Sequence, residues 1–301
     1  MKASFVLMIT LALVIVGCTP PSTIVPSTGL RIATTFYPLY DIANSIAGDK
    51  AQVSSIVPPG VEPHEYEPTP QDIKTVANAD VYVALGIESG IGALEQRLLS
   101  DRGNSIIVVR ASDGIPLLEA SRDDTNEPAS GKDPHIWISP RNAQVMAANI
   151  ADGLAKADPS NREYYLSNAV ALRTDLLALD KEFTDGLASC SKQVLLANHD
   201  AYSYLAAAYG FRTVTISGLE PESEPSPGKI KELVDAARQY GIKYIMYEEL
   251  VDPRIAKTIA DDVGAQVLEL SPLEGNKNAD DTYVVIMRRN LVNLRLALEC
   301  S

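Results

Sequence analysis

Residues 158–189 read DPSNREYYLSNAVALRTDLLALDKEFTDGLAS, and this stretch decides the architecture of the 301-residue chain. Asp158-Pro159-Ser160-Asn161 is a helix start, with proline in the first turn. Apolar residues then recur at helical spacing at Tyr165, Ala169, Leu172, Leu176, Leu179, Phe183 and Leu187. Neither glycine nor proline interrupts between Ser160 and Thr184. A helix of this length runs about 40 Å at ~1.5 Å per residue. Placed mid-chain, it is expected to be a strut joining two lobes, not a packing helix inside one.

On both sides of the strut, short β-branched runs alternate with amphipathic stretches. Before it, strands are expected at Arg31–Phe36, Ala51–Val57, Ala79–Leu85 and Ser105–Val109, with a helix over Leu39–Ile46 and another starting at Thr69-Pro70. After it, strands are expected at Val194–Ala197, Thr213–Ile216, Tyr244–Tyr247 and Gln266–Leu270. The helices there are Ala201–Tyr209, one from Ser226 through Tyr240, and Thr282–Glu299. Strand–helix alternation implies mainly parallel sheets covered on both faces. The expected fold class is therefore α/β, with an N-terminal lobe over 30–157, the connecting helix over 158–189 and a C-terminal lobe over 190–301.

The N-terminus describes an export signal. Lys2 precedes an apolar run from Ala3 to Val16, too short to span a bilayer, and Ile15-Val16-Gly17-Cys18 resembles a lipobox. Residues 1–17 are expected to be a lipoprotein signal peptide, with Cys18 the acylated residue. Residues 18–29, rich in proline, threonine and serine, are expected to be a lipid-anchored linker. The protein is thus expected at the extracytoplasmic face of the cell membrane. In that compartment the remaining pair, Cys190 and Cys300, is expected to form a disulfide. Losing residues 1–17 removes Lys2 and no acid, so 26 basic residues fall to 25 against 39 acidic and the net charge becomes −14. That balance argues against nucleic acid and anionic lipid as partners.

The chain has only three histidines, His64, His135 and His199, spaced 71 and 64 positions apart, each in a motif-dense segment. Neutral imidazole is the commonest ligand of zinc-like ions. His199 follows a strand directly, as does Ser271-Pro272-Leu273-Glu274, and His64 lies in the loop after the second strand. In parallel sheets, ligands bind at the carboxyl ends of strands. These positions therefore fit a metal site in a cleft between lobes.

The motifs resemble those of the metal-specific solute-binding lipoproteins of ABC importers for zinc and manganese. The resemblance runs from Arg31 to Cys300. It is carried by Phe36-Tyr37-Pro38-Leu39, by Val57-Pro58-Pro59-Gly60, and by the string from Glu62 through His64 to Asp72. Asp133-Pro134-His135-Ile136-Trp137 continues it, followed by Asn198-His199-Asp200-Ala201-Tyr202 and Ser271-Pro272-Leu273-Glu274. The resemblance implies two α/β lobes joined by one rigid helix, with the metal between them. It places His64, His135 and His199 on the family's histidine positions. Manganese-type members carry an aspartate where this chain has Ser271, whereas zinc-type members supply a glutamate that Glu274 matches. Three imidazoles and one carboxylate suit Zn²⁺ better than the harder Mn²⁺. The implied partners are an ABC permease and its ATPase, with the protein itself a monomer.

Glu62, Glu65, Asp280 and Asp281 are the alternative carboxylates. Asp200 and Glu248 are candidate acceptors for imidazole N–H groups, and Trp137 is expected beside the site. Zinc-type members often carry a histidine-rich loop before the second motif. Here Glu119–Lys132 holds Asp123, Asp124 and Glu127 but no histidine, and reads as a solvated acidic loop. No catalytic residue is assigned. The rival classes are a zinc hydrolase, which would keep one coordination position open, and a surface adhesin with a structural metal. Hydrolysis assays and metal-dependent uptake separate the first of these from an importer component.

Overall fold

The computed structural model describes residues 29–87, 106–120, 131–219, 221, 225–276 and 280–301. The expected signal peptide, Cys18, nearly all of the expected linker, and Asp123, Asp124 and Glu127 lie outside the described residues.

Each lobe is built on a four-stranded sheet whose strands all run parallel. In the first, β1 (Leu30–Thr34), β2 (Ala51–Ser55), β3 (Val81–Ala84) and β4 (Ile107–Arg110) lie in the order β2-β1-β3-β4. In the second, β5 (Val194–Ala197), β6 (Arg212–Thr215), β7 (Tyr244–Tyr247) and β8 (Gln266–Glu269) repeat that order as β6-β5-β7-β8. The chain reverses its winding direction between β1 and β3, and again between β5 and β7. At such reversals the loops leaving the strand ends diverge and open a crevice.

Local sequence sets the helices. Helix α1 (Tyr37–Ala47) follows β1 and buries Leu39, Ile42, Ala43 and Ile46. Helix α2 (Pro70–Asn78) begins in a capping box, in which Thr69 and Asp72 satisfy each other's backbone N–H. The N-terminal lobe also contains α3 (Pro140–Ala157), and the long helix is α4 (Arg162–Leu187). The C-terminal lobe carries α5 (Ser203–Tyr209), α6 (Pro227–Tyr240), α7 (Arg254–Val263) and α8 (Tyr283–Ala297). Ser226 caps α6 and Thr282 caps α8 through their hydroxyls.

Helix α4 joins the lobes as expected, but it is a packed spine, not a free strut. Tyr165, Leu176, Leu179, Phe183 and Leu187 are buried along it. Its first half meets the N-terminal lobe, where Asn168 Nδ2 donates to the carbonyl of Ile46 over 3.0 Å. Its second half meets the C-terminal lobe, where Asp180 accepts from Tyr209 Oη at 2.8 Å and Glu182 pairs with Arg288. The ion pair is exposed and contributes at most ~1 kcal/mol. Truncating one of the buried side chains to alanine costs ~2–5 kcal/mol, so burial dominates. Through this spine a single apolar core runs from Ile32 and Val83 in one lobe to Leu195, Tyr202 and Leu270 in the other.

Cys190, just beyond α4, is joined to Cys300, just beyond α8, by a disulfide across a sequence separation of 110. Closing a loop of that size contributes ~4 kcal/mol in the chain-entropy model. Non-reducing digestion and mass spectrometry of exported protein should give a Cys190–Cys300 linked peptide. The Cys190→Ser/Cys300→Ser variant should melt several degrees lower, and an unchanged melting temperature would contradict the assignment.

Candidate metal site

The site assembles from four loops, two in each lobe. His199 lies two residues past the central strand β5. The parallel register of β5 on β7 pairs Leu196 with Ile245, and continuing it three residues sets His199 level with Glu248. Glu248 is buried there and takes the imidazole in both carboxylate oxygens, at 2.7 and 2.8 Å from Nδ1. His135 is held by its own turn. Asp133 Oδ1 accepts from the backbone N–H of His135 at 2.9 Å and from Nδ1 at 2.8 Å. His64 comes from the loop after β2, and Glu274 from the loop after β8.

These four side chains form the one group of three or more potential metal-ligating residues among the described residues, with their donor atoms all within 4.8 Å of one another. The Nε2 atoms of His64 and His135 are 3.3 Å apart, and those of His135 and His199 are also 3.3 Å apart. Glu274 Oε1 stands 3.1 Å from His64 Nε2, 3.5 Å from His135 Nε2 and 3.6 Å from His199 Nε2. Ligands about 2.0–2.1 Å from a tetrahedral zinc ion are separated by about 3.3–3.4 Å. These five separations match the edges of a zinc-sized tetrahedron.

The electrostatics make the same demand. With Nδ1–H donated to Asp133 and to Glu248, the Nε2 atoms of His135 and His199 present lone pairs to each other when both rings are neutral. Such a contact is repulsive unless a proton or a metal ion lies between. His135, His199 and Glu274 are buried, and the His64 side chain keeps only 13% of its surface exposed. Burial works against a charged His64, but the hydrogen bond and charge of Glu274, with Glu62 behind it, outweigh burial and raise its pKa. For His199, burial is likewise outweighed by Glu248 and Glu274, and the pKa lies well above the ordinary value. Burial would raise the pKa of Glu274, yet His199, His135 and His64 together hold it well below the usual carboxylate range.

Of the other candidates, Glu62 lies beside the site, with its charge acting on His64 and Glu274, while the rest lie elsewhere. Glu62 Oε2 accepts from the backbone N–H of Glu65, a residue on the surface. Asp281 pairs with Arg289 at 2.7 Å, and Asp280 is exposed. Asp200, a candidate imidazole acceptor, accepts from Ser203 Oγ at 3.0 Å where its backbone leads into α5. Asp133, which does hold an imidazole, was not singled out from the sequence for that role. The two-residue spacing in Asp133-Pro134-His135 was the available signal, since it lets one carboxylate oxygen reach both N–H groups. Ser271 donates its hydroxyl to Glu249 and accepts from Leu273 N at 3.1 Å, so it shapes the loop that carries Glu274. Trp137 packs on His135 with ring centroids 5.0 Å apart.

A family described as zinc-uptake complex component A, periplasmic (ZnuA) matches residues 32–297. The high-affinity zinc uptake system protein ZnuA of Bacillus subtilis is 35% identical over 282 residues, covering 89% of this chain and 88% of that protein. The zinc-binding protein AdcA of Streptococcus pyogenes serotype M6 is 32% identical over 291 residues, 90% of this chain and 56% of its own length. The chain therefore spans about half the length of the AdcA relatives it matches. Among solved structures, the Zn(II)-bound ZnuA-like domain of Streptococcus pneumoniae AdcA superposes with a TM-score of 0.77 at 32% identity, over 90% of this chain and 99% of that one. Two parallel α/β lobes, a spine helix between them and three histidines with one glutamate converging at the seam place this chain in the ZnuA family of zinc-uptake components.

Proposed function

We propose that the protein is the extracytoplasmic metal-capturing component of an ABC importer, with Zn²⁺ as its cargo and a membrane permease with its ATPase as partners. His64, His135, His199 and Glu274 are the ligands. Asp133 and Glu248 orient two of the imidazoles from behind, and Cys18 carries the lipid anchor. The N-terminal lobe over 30–157 and the C-terminal lobe over 190–301 each contribute two ligands. The observation that carries this reading is the convergence of four donors from both lobes, three of them on buried residues, at spacings that suit a tetrahedral zinc ion. Four protein donors fill a zinc coordination sphere and leave no position for a water to be activated, which favours capture over hydrolysis. Three imidazoles and a single carboxylate favour zinc over manganese.

Deletion of the protein in a strain lacking redundant importers should lower zinc accumulation and impair growth under chelation, with rescue by added zinc. Unchanged accumulation, measured by elemental analysis, would refute the importer reading.

The ligand set predicts that Glu274→Ala weakens zinc binding roughly 10–100-fold or more without unfolding the protein, and that each His→Ala change costs at least as much. Titration calorimetry decides this. Wild-type affinity in Glu274→Ala would leave a site of three histidines completed by another ligand.

Zinc must displace any proton from its ligands. The pKa values of His64 and His199 are raised, so in the metal-free protein these imidazoles stay protonated above the ordinary histidine range. Glu274, with its pKa lowered, remains ionised throughout. Affinity should therefore be constant at high pH and begin to fall before the pH drops to ~6.5. Protons should be released on binding, which makes the calorimetric heat depend on the ionisation enthalpy of the buffer. A heat independent of buffer near neutral pH would contradict the protonation assigned to the two histidines.

A further inference from the structure

The segment that presents Glu274 is under backbone strain. Leu273, immediately before it, has φ 59°, in the left-handed region that bulky side chains rarely adopt. Its side chain is fully buried. Strain of this kind persists only where the surroundings over-determine the chain, and here both lobes hold it just before Leu273. The C-terminal lobe does so at Ser271. Asn290 on α8 accepts from Ser271 N at 2.9 Å and donates to Ser271 O at 2.7 Å. The second hold comes from the N-terminal lobe. The indole Nε1 of Trp137 donates to the carbonyl of Pro272 over 2.7 Å in a buried hydrogen bond.

Trp137 is itself tightly placed. Its carbonyl accepts from Tyr283 Oη at 2.6 Å, and its ring meets Phe36 edge-on with centroids 4.8 Å apart. The same ring lies against His135, which sits two positions earlier in the chain. One side chain thus touches a histidine of the N-terminal lobe and pins the segment carrying the glutamate of the C-terminal lobe.

We propose that Trp137 is a positioning residue that clamps the strained Pro272–Leu273 segment and so holds Glu274 on the metal, and that opening this clamp is the step that frees the ion for delivery. The inference rests on Glu274 being a ligand. When the Trp137–Pro272 bond opens, Leu273 can relax out of the left-handed region and Glu274 withdraws. Three histidines remain, with one position exposed for an acceptor ligand. Separating the lobes instead would split the apolar core that runs through both of them. A local loop movement disrupts far less buried surface, because only one short segment moves.

The test is a double-mutant cycle on the full metal-binding protein, with Trp137→Phe and Glu274→Ala made singly and together. Zinc affinity is read by competition with a chromophoric chelator, and release by stopped flow into excess chelator. Trp137→Phe should lower affinity roughly 10-fold or more, chiefly through faster release. In the Glu274→Ala background it should have almost no further effect. Cobalt-loaded Trp137→Phe should shift its visible absorption towards that of Glu274→Ala, which a general loss of stability would not produce. Equal affinity losses from Trp137→Phe in both backgrounds would overturn the clamp and leave the ligand assignment intact. A Glu274→Ala variant that binds like wild type would overturn both. Should circular dichroism show Trp137→Phe unfolded, Tyr283→Phe takes its place in the cycle, because its hydroxyl holds the Trp137 carbonyl, and the same outcomes decide.

Discussion

Three imidazole nitrogens and one carboxylate oxygen converge in a largely buried pocket, the carboxylate 3.1–3.6 Å from each nitrogen and the His135 nitrogen 3.3 Å from the other two. Asp133 and Glu248 claim the Nδ1 protons of two of the rings, so when those rings are neutral their Nε2 lone pairs meet, and either a proton or a metal ion has to lie between them. A small cation at the centre turns the mutual repulsion into attraction. Much of the surrounding structure serves to keep these donors together despite that repulsion. The turn at Asp133, the register of β5 on β7 and the pinned loop after β8 all work to that end.

The same constraint explains why two lobes are needed. A single parallel sheet brings strand ends together along one edge, and β5 and β7 accordingly supply His199 and its carboxylate partner Glu248. To surround an ion, donors must also come from the opposite side, and the N-terminal lobe supplies His64 and His135. The lobes then have to be held at a fixed distance, to within a fraction of an ångström. Helix α4 and the continuous apolar core provide that, reinforced at the seam by contacts such as Tyr37 Oη to the carbonyl of Asp281 at 2.7 Å. The backbones also approach closely there. A Cβ on Gly275 would stand 3.4 Å from Gly60 N and 3.0 Å from Leu250 Cδ1, so glycine follows Glu274 for want of space.

The sequence was most legible where chemistry and periodicity coincided. The strands β5 and β7 follow from short β-branched or apolar runs bounded by polar residues, and the helix starts at Thr69 and Ser226 follow from their capping hydroxyls. The convergence of the three histidines with Glu274 was suggested by loops at strand ends and became specific through the motif resemblance, because spacings of 71 and 64 positions carry no geometric information. Helices α3 and α7 went unread. Helix α3 buries Met146, Ile150 and Leu154 at four-residue spacing, a signal diluted by Ala143, Ala147, Ala151 and Ala155 beside them, and α7 follows a loop with no hydroxyl cap. The role of Asp133 was signalled by its two-residue spacing to His135, whereas that of Trp137 was hidden, because its bond to Pro272 exists only once the lobes have docked.

The most direct test of the account is X-ray absorption at the zinc edge on protein loaded with one equivalent of metal. The account predicts four nitrogen or oxygen neighbours at about 2.0–2.1 Å, with outer-shell scattering from three imidazole rings. A five- or six-coordinate shell, or scattering from two imidazoles or fewer, would contradict it.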